Sequence, residues 1–97
     1  MIVALAVNQT IQSYGIKSTI KWPNDVHVDG KKIAGILLES EVKERDVIYV
    51  VVGIGVNVNI NRKELSPDIQ HRSTSMSYEL GLQVDYYDFL RIFFNVF

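Results

Sequence analysis

Lys31 and Lys32 stand directly before the small apolar run Ile33-Ala34-Gly35, and the segment leading to them carries Asn24 and Asp25. A plain sheet strand needs neither the charge pair nor the glycine. A lone strand lysine is most often a solvated surface residue. Here Lys32 lies beside Ala34 and Gly35, where missing side chains let a ligand approach the backbone. An ammonium, a carboxylate and an open backbone edge together can hold an anionic substrate and a metal-bound phosphate. Taken alone, Asn24 and Asp25 are turn formers whose side chains bond their own backbone. Trp22 alone is more often a core residue than a ligand platform. His27 and His71 each lack a partner at metal-ligand spacing, and His27 is expected to be exposed on a hairpin arm.

A second group lies in "GIGVNVN", Gly53 to Asn59. It superficially resembles a dinucleotide-binding fingerprint, but Val58 occupies the third glycine position and the run continues as strand rather than opening a helix. The glycines are read instead as a bulge or a close backbone approach at the end of a central strand. Asn57 and Asn59 sit in apolar surroundings, and a buried amide needs partners. A purine edge would supply both donor and acceptor; for Asn59 a neighbouring loop would serve as well.

The elements that must position these residues follow from periodicity and punctuation. Ile2, Leu5, Ala6, Gln9 and Ile11 to Ser13 fit one amphipathic helix stopped at Tyr14-Gly15. Ser18 to Lys21 is a short strand, and Pro23 makes Trp22 extended. Asp29-Gly30 between two β-like runs predicts a hairpin, with Lys31 to Glu41 as the return strand. Lys43 to Asp46 is a charged turn, and Val47 to Ile60 is expected to be a central, well-buried strand. Asn61 to Ser75 reads as a long loop. A short helix at Met76 to Leu80 stops at Gly81, and Asp85 caps a last helix with an exposed aromatic end at Phe93, Phe94, Val96 and Phe97. One helix followed by sequential strands predicts an α+β fold with a mixed or antiparallel meander sheet and helices packed on one face.

Composition narrows the classes. The chain has 97 residues, 47% of them hydrophobic, and a formal net charge of −1, which suits one globular domain or part of one. Scattered charges give no electrostatic case for nucleic acid or an anionic membrane. With no cysteine there is neither a disulfide nor a thiolate metal site, which is compatible with the cytoplasm. "MIVALAV" lacks a basic flank, and "VIYVVVGIGV" is too short for a membrane-spanning helix. A soluble protein is expected.

"KWPNDVHVDGKKIAGILLE" followed by "VGIGVNVN" resembles the catalytic domain of the biotin protein ligases, the biotin–[acetyl-CoA-carboxylase] ligase family. "STSM", Ser73 to Met76, is similar to that family's Ala-Thr-Ser-Leu segment, with Ser73 and Met76 as departures. The resemblance runs from the first helix to the last. It implies a class II aminoacyl-tRNA-synthetase-like biotin ligase core, incomplete, with residues 1–97 as a partial biotin/lipoate ligase-type catalytic domain. The family's Gly-Arg-Gly-Arg-x-Gly-Arg loop, its small C-terminal domain and its winged-helix DNA-binding module have no counterpart in these residues.

The resemblance also implies roles. Lys32 corresponds to the family's essential lysine, in contact with the biotin carboxylate and the α-phosphate. Ala34, Gly35 and Trp22 belong to the biotin pocket, with Lys21 beside Trp22 in its wall. Asn24, Asp25, Gly55, Asn57, Thr74 and Ser75 belong to the ATP or adenylate site, and Asp25 is a candidate contact to Mg²⁺ through the phosphates. The implied reaction activates biotin with ATP to biotinyl-5′-AMP and transfers it to a lysine of a biotin carboxyl carrier protein. Three other readings stand beside it: a non-catalytic biotin or adenylate-binding fragment, half of a split ligase completed by the missing N-terminal segment or a homodimer partner, and a lipoate ligase relative.

Overall fold

The computed structural model describes residues 2–97, and the side chains of all of these except 47–51. Helix α1 (Ile2–Ser13) leads into β1 (Thr19–Lys21), β2 (Asp25–Val28), β3 (Lys31–Lys43) and β4 (Asp46–Val56). A 3-10 turn (Arg62–Glu64) and the short helices α2 (Pro67–Gln70) and α3 (Met76–Leu80) follow, and α4 (Tyr86–Val96) comes last. The strands form one antiparallel sheet in the order β1-β2-β3-β4, the meander expected from the sequence.

Local chemistry accounts for the joints. Asp29 and Gly30 take φ of 49° and 77°, the positive values that a two-residue hairpin turn needs at both centres. The β3–β4 turn makes the same demand of Glu44 and Arg45, at 52° and 71°, without a glycine to ease it. Asp85 caps α4 by accepting from the Tyr87 and Asp88 N–H groups, and Ser75 caps α3 by accepting from Tyr78 N–H.

The core lies on one face of the sheet. Val26, Val28, Ile33, Ala34 and Ile36 from β2 and β3 pack against α1 and α4, with Ile11, Phe89 and Phe93 among the buried residues. The buried side of α1 is Ala4, Ala6, Val7, Thr10 and Ile11, while Ile2 and Leu5 are exposed. The buried stripe is thus turned about the helix axis relative to the expected one. Phe93 belongs to the core, whereas Phe94, Val96 and Phe97 are exposed as foreseen.

Several expectations need correction. β4 is an edge of the sheet rather than a central strand, and Val52 and Ile54 are exposed. Its β-branched run reads as buried because strand propensity does not distinguish a central strand from an edge. The bulges fall elsewhere than at the glycines: register shifts leave Ile33 on β3 and Ile48 on β4 without a partner, while Gly53 and Gly55 are in register with Leu37 and Gly35. Trp22 lies in a turn with a cis bond to Pro23, and it is 77% exposed, so it is no core residue. The loop from Asn61 to Ser75 contains a 3-10 turn and α2, which Pro67 opens at a first-turn position.

Tyr14 follows α1 and stacks on Phe89 of α4 at 6.3 Å between centroids, its hydroxyl buried without a partner. Burial pushes its pKa above the ordinary 10.0, and the Asp88 carboxylate adds to the shift. The folded state therefore holds this proton more tightly than the unfolded chain. The resulting contribution to stability is complete below the unfolded value and is lost as pH rises through the folded one. Tyr14→Phe should leave stability at neutral pH unchanged or raise it by up to about 1 kcal/mol, since no hydrogen bond is broken. It should also flatten the fall in melting temperature above about pH 10, which thermal melts of both proteins across that range will read.

Candidate functional site

Side chains on a strand alternate between faces. Across the sheet, Lys21 pairs with Asp25, Asp25 with Gly35, and Gly35 with Gly55, so these residues form one row on the face opposite the core. Gly53, opposite Leu37, continues that glycine floor. Simple alternation from Gly35 would put Ile33 on the same face and send Lys32 into the core. The bulge at Ile33 reverses this. It sets Lys32 opposite His27 and leaves Ile33 and Ala34, both buried, side by side on the core face.

Lys32 is also fixed along its main chain. Its N–H donates to the Arg72 carbonyl at 2.7 Å, and its own carbonyl accepts from Thr74 N–H at 2.9 Å. Residues 72–74 thus run beside Lys32 as a parallel bridge at Ser73, where β4 has already turned away. Asn57 secures that turn: its N–H donates to the Ile33 carbonyl at 2.9 Å and its Nδ2 to the Thr74 carbonyl at 3.2 Å.

From this base the Lys32 ammonium crosses over Gly35 to within 3.5 Å of Asp25 Oδ1. Both side chains are more than a third exposed, at 50% and 38%, so the pair adds little to stability. His27 Nε2 lies 3.9 Å from the other oxygen, Oδ2. The ammonium–carboxylate pair divides two hollows. One, about 570 Å³, has the glycine floor, Leu37 and Asn57 in its lining. The other, about 420 Å³, is rich in cationic side chains, with Lys21 and Arg72 beside the same Asp25 and Lys32, and His27 also in its lining. An apolar-floored hollow joined to a cationic one, with a lysine on the partition, suits a ligand that carries an anionic group at the end of an apolar body.

The structure brings Lys32, Asp25, Ala34, Gly35, Gly55 and Asn57 to the larger hollow and Lys21 to the smaller. Neither Trp22 nor Asn24 lines them; Asn24 contributes its carbonyl, which accepts from Ile36 N–H at 2.8 Å. Thr74 and Ser75 are buried with their hydroxyls engaged, Thr74 on the Glu79 carboxylate and Ser75 on the Ile60 carbonyl at 2.8 Å. Ser73, unassigned from sequence, lines both hollows, and Arg72 lines the smaller. Nothing in the order of residues marked them, because only the folded bridge to Lys32 brings them there. His27 is half-buried rather than exposed. Asn59 is a loop anchor: its amide exchanges hydrogen bonds of 2.7 and 2.8 Å with the Val84 backbone. Among the described residues no cluster of three His, Cys, Asp or Glu could hold a metal ion.

Residues 1–57 match the model of the biotin/lipoate A/B protein ligase family. The chain belongs to that family. It is 40% identical over 86 residues to the bifunctional ligase/repressor BirA of Bacillus subtilis (strain 168), an alignment covering 88% of this chain and 26% of that protein. The biotin–[acetyl-CoA-carboxylase] ligase of Paracoccus denitrificans is 62% identical over 35 residues, or 36% of this chain and 15% of that one. Among solved structures, biotin protein ligase from Aquifex aeolicus superimposes with a TM-score of 0.81 at 30% identity, over 98% of this chain and 41% of that one. The same enzyme in complex with biotin and ATP gives 0.77 at 29% identity, over 98% of this chain and 38% of that one. The fold is therefore that of a biotin protein ligase, in part. The chain spans about a quarter of the length of the BirA relatives.

The Lys32 seat yields a prediction. A Cβ added at Gly35 would lie 2.9 Å from Lys32 Cε, 3.0 Å from Nζ and 3.4 Å from Asp25 Oδ1. The crowded atoms include the far end of a flexible side chain, so Gly35→Ala should fold, with a stability change within about 1 kcal/mol, but with the ammonium displaced from Asp25. Thermal melting and a crystal structure of the variant check both parts; an unmoved ammonium would contradict this account of the glycine.

Proposed function

We propose that residues 1–97 form part of the catalytic domain of a biotin–protein ligase and that Lys32 is its catalytic lysine. The observation that carries this is the ammonium of Lys32, held over Gly35 beside Asp25 at the boundary of an apolar-floored and a cationic hollow. Family membership and the likeness to a ligase solved with biotin and ATP support the reading.

In the first step the biotin carboxylate attacks the α-phosphate of ATP and expels pyrophosphate, leaving biotinyl-5′-AMP. Negative charge grows on the phosphate oxygens, and a fixed cation at the boundary stabilises that charge most where water is excluded. In the second step the amine of a carrier lysine attacks the acyl carbon and AMP departs. Lys32 then faces the carbonyl oxygen, and its compact charge on a flexible stem suits a group serving two oxygens in turn. The ring system of biotin fits the glycine floor, where it can lie close to the main chain. Asn57 would meet the adenine edge.

Asp25 is the carboxylate that would hold a Mg²⁺ ion brought by the nucleotide, and that ion would supply positive charge against the phosphates. The acceptor is a biotin carboxyl carrier protein, in the cytoplasm. A segment carrying the family's arginine loop, from a longer polypeptide or a partner chain, completes the site. No described helix is long and apolar enough to cross a membrane.

The test is mass-spectrometric detection of biotinyl-adenylate from biotin, ATP and Mg²⁺, using this chain alone and with the arginine-loop segment added. Lys32→Ala should lower the adenylate yield by about 100-fold or more, the usual loss when one transition-state donor is removed. A Lys32→Ala protein as active as the parent would overturn the assignment, and adenylate formed when lipoate replaces biotin, with none from biotin, would shift the substrate to lipoate.

A further inference from the structure

Asp25 has two oxygens and two nitrogen neighbours. Lys32 faces Oδ1 at 3.5 Å and His27 faces Oδ2 at 3.9 Å. The His27 Nε2 atom is buried and has no hydrogen-bond partner. Buried polar atoms are nearly always paired, so an orphan beside a carboxylate calls for an explanation. The bulge at Ile33 supplies part of it, since it sets His27 and Lys32 directly opposite each other on the face that carries Asp25. Bulges re-aim side chains in this way next to sites of function.

We infer that His27 is a positioning residue: it anchors the Asp25 carboxylate so that its other oxygen stays on Lys32. A neutral imidazole with its proton on Nε2 donates to Oδ2 after the separation closes by about 1 Å, the adjustment that takes 3.9 Å to an ordinary hydrogen-bond length. Asp25 is partly exposed and would otherwise rotate into water, leaving the ammonium without a partner. The anchor matters most when a ligand draws Lys32 away, because the carboxylate then keeps its orientation and the lysine returns to the same place. This rests on the ligase reading for its consequence in catalysis, but not for the geometry itself.

The experiment uses acetic anhydride at limiting amounts, with acetylation of Lys32 read by peptide mass spectrometry against Lys31 as internal standard. An ammonium held by a carboxylate is acylated more slowly than a free one. Asp25→Asn and His27→Leu should each raise the Lys32 to Lys31 ratio by about three- to tenfold, the range equivalent to one net hydrogen bond. His27→Gln keeps an N–H donor and should restore the parent ratio to within about twofold, a rescue that a merely space-filling residue would not produce. Melting curves of all three variants identify any that fail to fold, and His27→Phe then replaces His27→Leu. A His27→Leu ratio equal to the parent's, or a His27→Gln ratio equal to that of His27→Leu, would overturn the anchor. Adenylate formation is measured in parallel. If the acetylation pattern holds while the parent protein makes no biotinyl-adenylate either alone or with the arginine-loop segment added, the ligase reading fails and the anchor stands.

Discussion

The pairing register between β2 and β3 decides which side chain of the hairpin meets the cavity. Asp25 and Val26 pair with Gly35 and Ala34, whereas His27 and Val28 pair with Lys32 and Lys31, one residue out of step. The extra residue is Ile33, and its effect is a change of parity. Without it, the alternation that puts Gly35 on the open face would put Ile33 there too, and Lys32 would be driven among Val26, Val28 and α1. A charged side chain in that core would cost several kcal/mol. The bulge lets one strand satisfy both faces, with two adjacent apolar residues in the core and an ammonium on the other side.

A lysine on a strand still has several rotatable bonds, so register alone does not fix where its charge rests. Three further constraints act on it. Segment 72–74 holds its main chain from the side that β4 has left. Gly35 leaves the space that the stem crosses, and Asp25 supplies a counter-charge beyond it. Asn57 links these parts by bonding both the bulge carbonyl and Thr74. The loop that follows β4 is thus held to β3 at the one place where the bulge needs support.

Much of this was legible in the sequence wherever a single residue type has a single physical use. Asp29-Gly30 marked the hairpin, Gly81 the end of α3 and Asp85 the cap of α4, and the meander followed from element order. That Lys32, Asp25 and Gly35 belong to one place was visible as an unusual combination of charge and missing side chains. What escaped were properties of pairing. A bulge at Ile33 has no composition of its own, an edge strand such as β4 has the same β-branched make-up as a central one, and Ser73 and Arg72 reach the site only through a bridge across 41 residues of chain. Thr74 and Ser75, polar and close by in sequence, turn out to spend their hydroxyls on α3 and the Ile60 carbonyl.

The floor of the larger hollow is made of Gly35, Gly53 and Gly55. Glycine has no side chain to shorten, so every replacement there adds atoms above the sheet. The floor can be raised by mutation but never lowered. Divergence of ligand size through these three positions can therefore run in one direction only, towards smaller or flatter molecules. A lineage that came to accept a bulkier ligand would have to find its room elsewhere, by trimming Leu37 or by shifting the segment around Ser73.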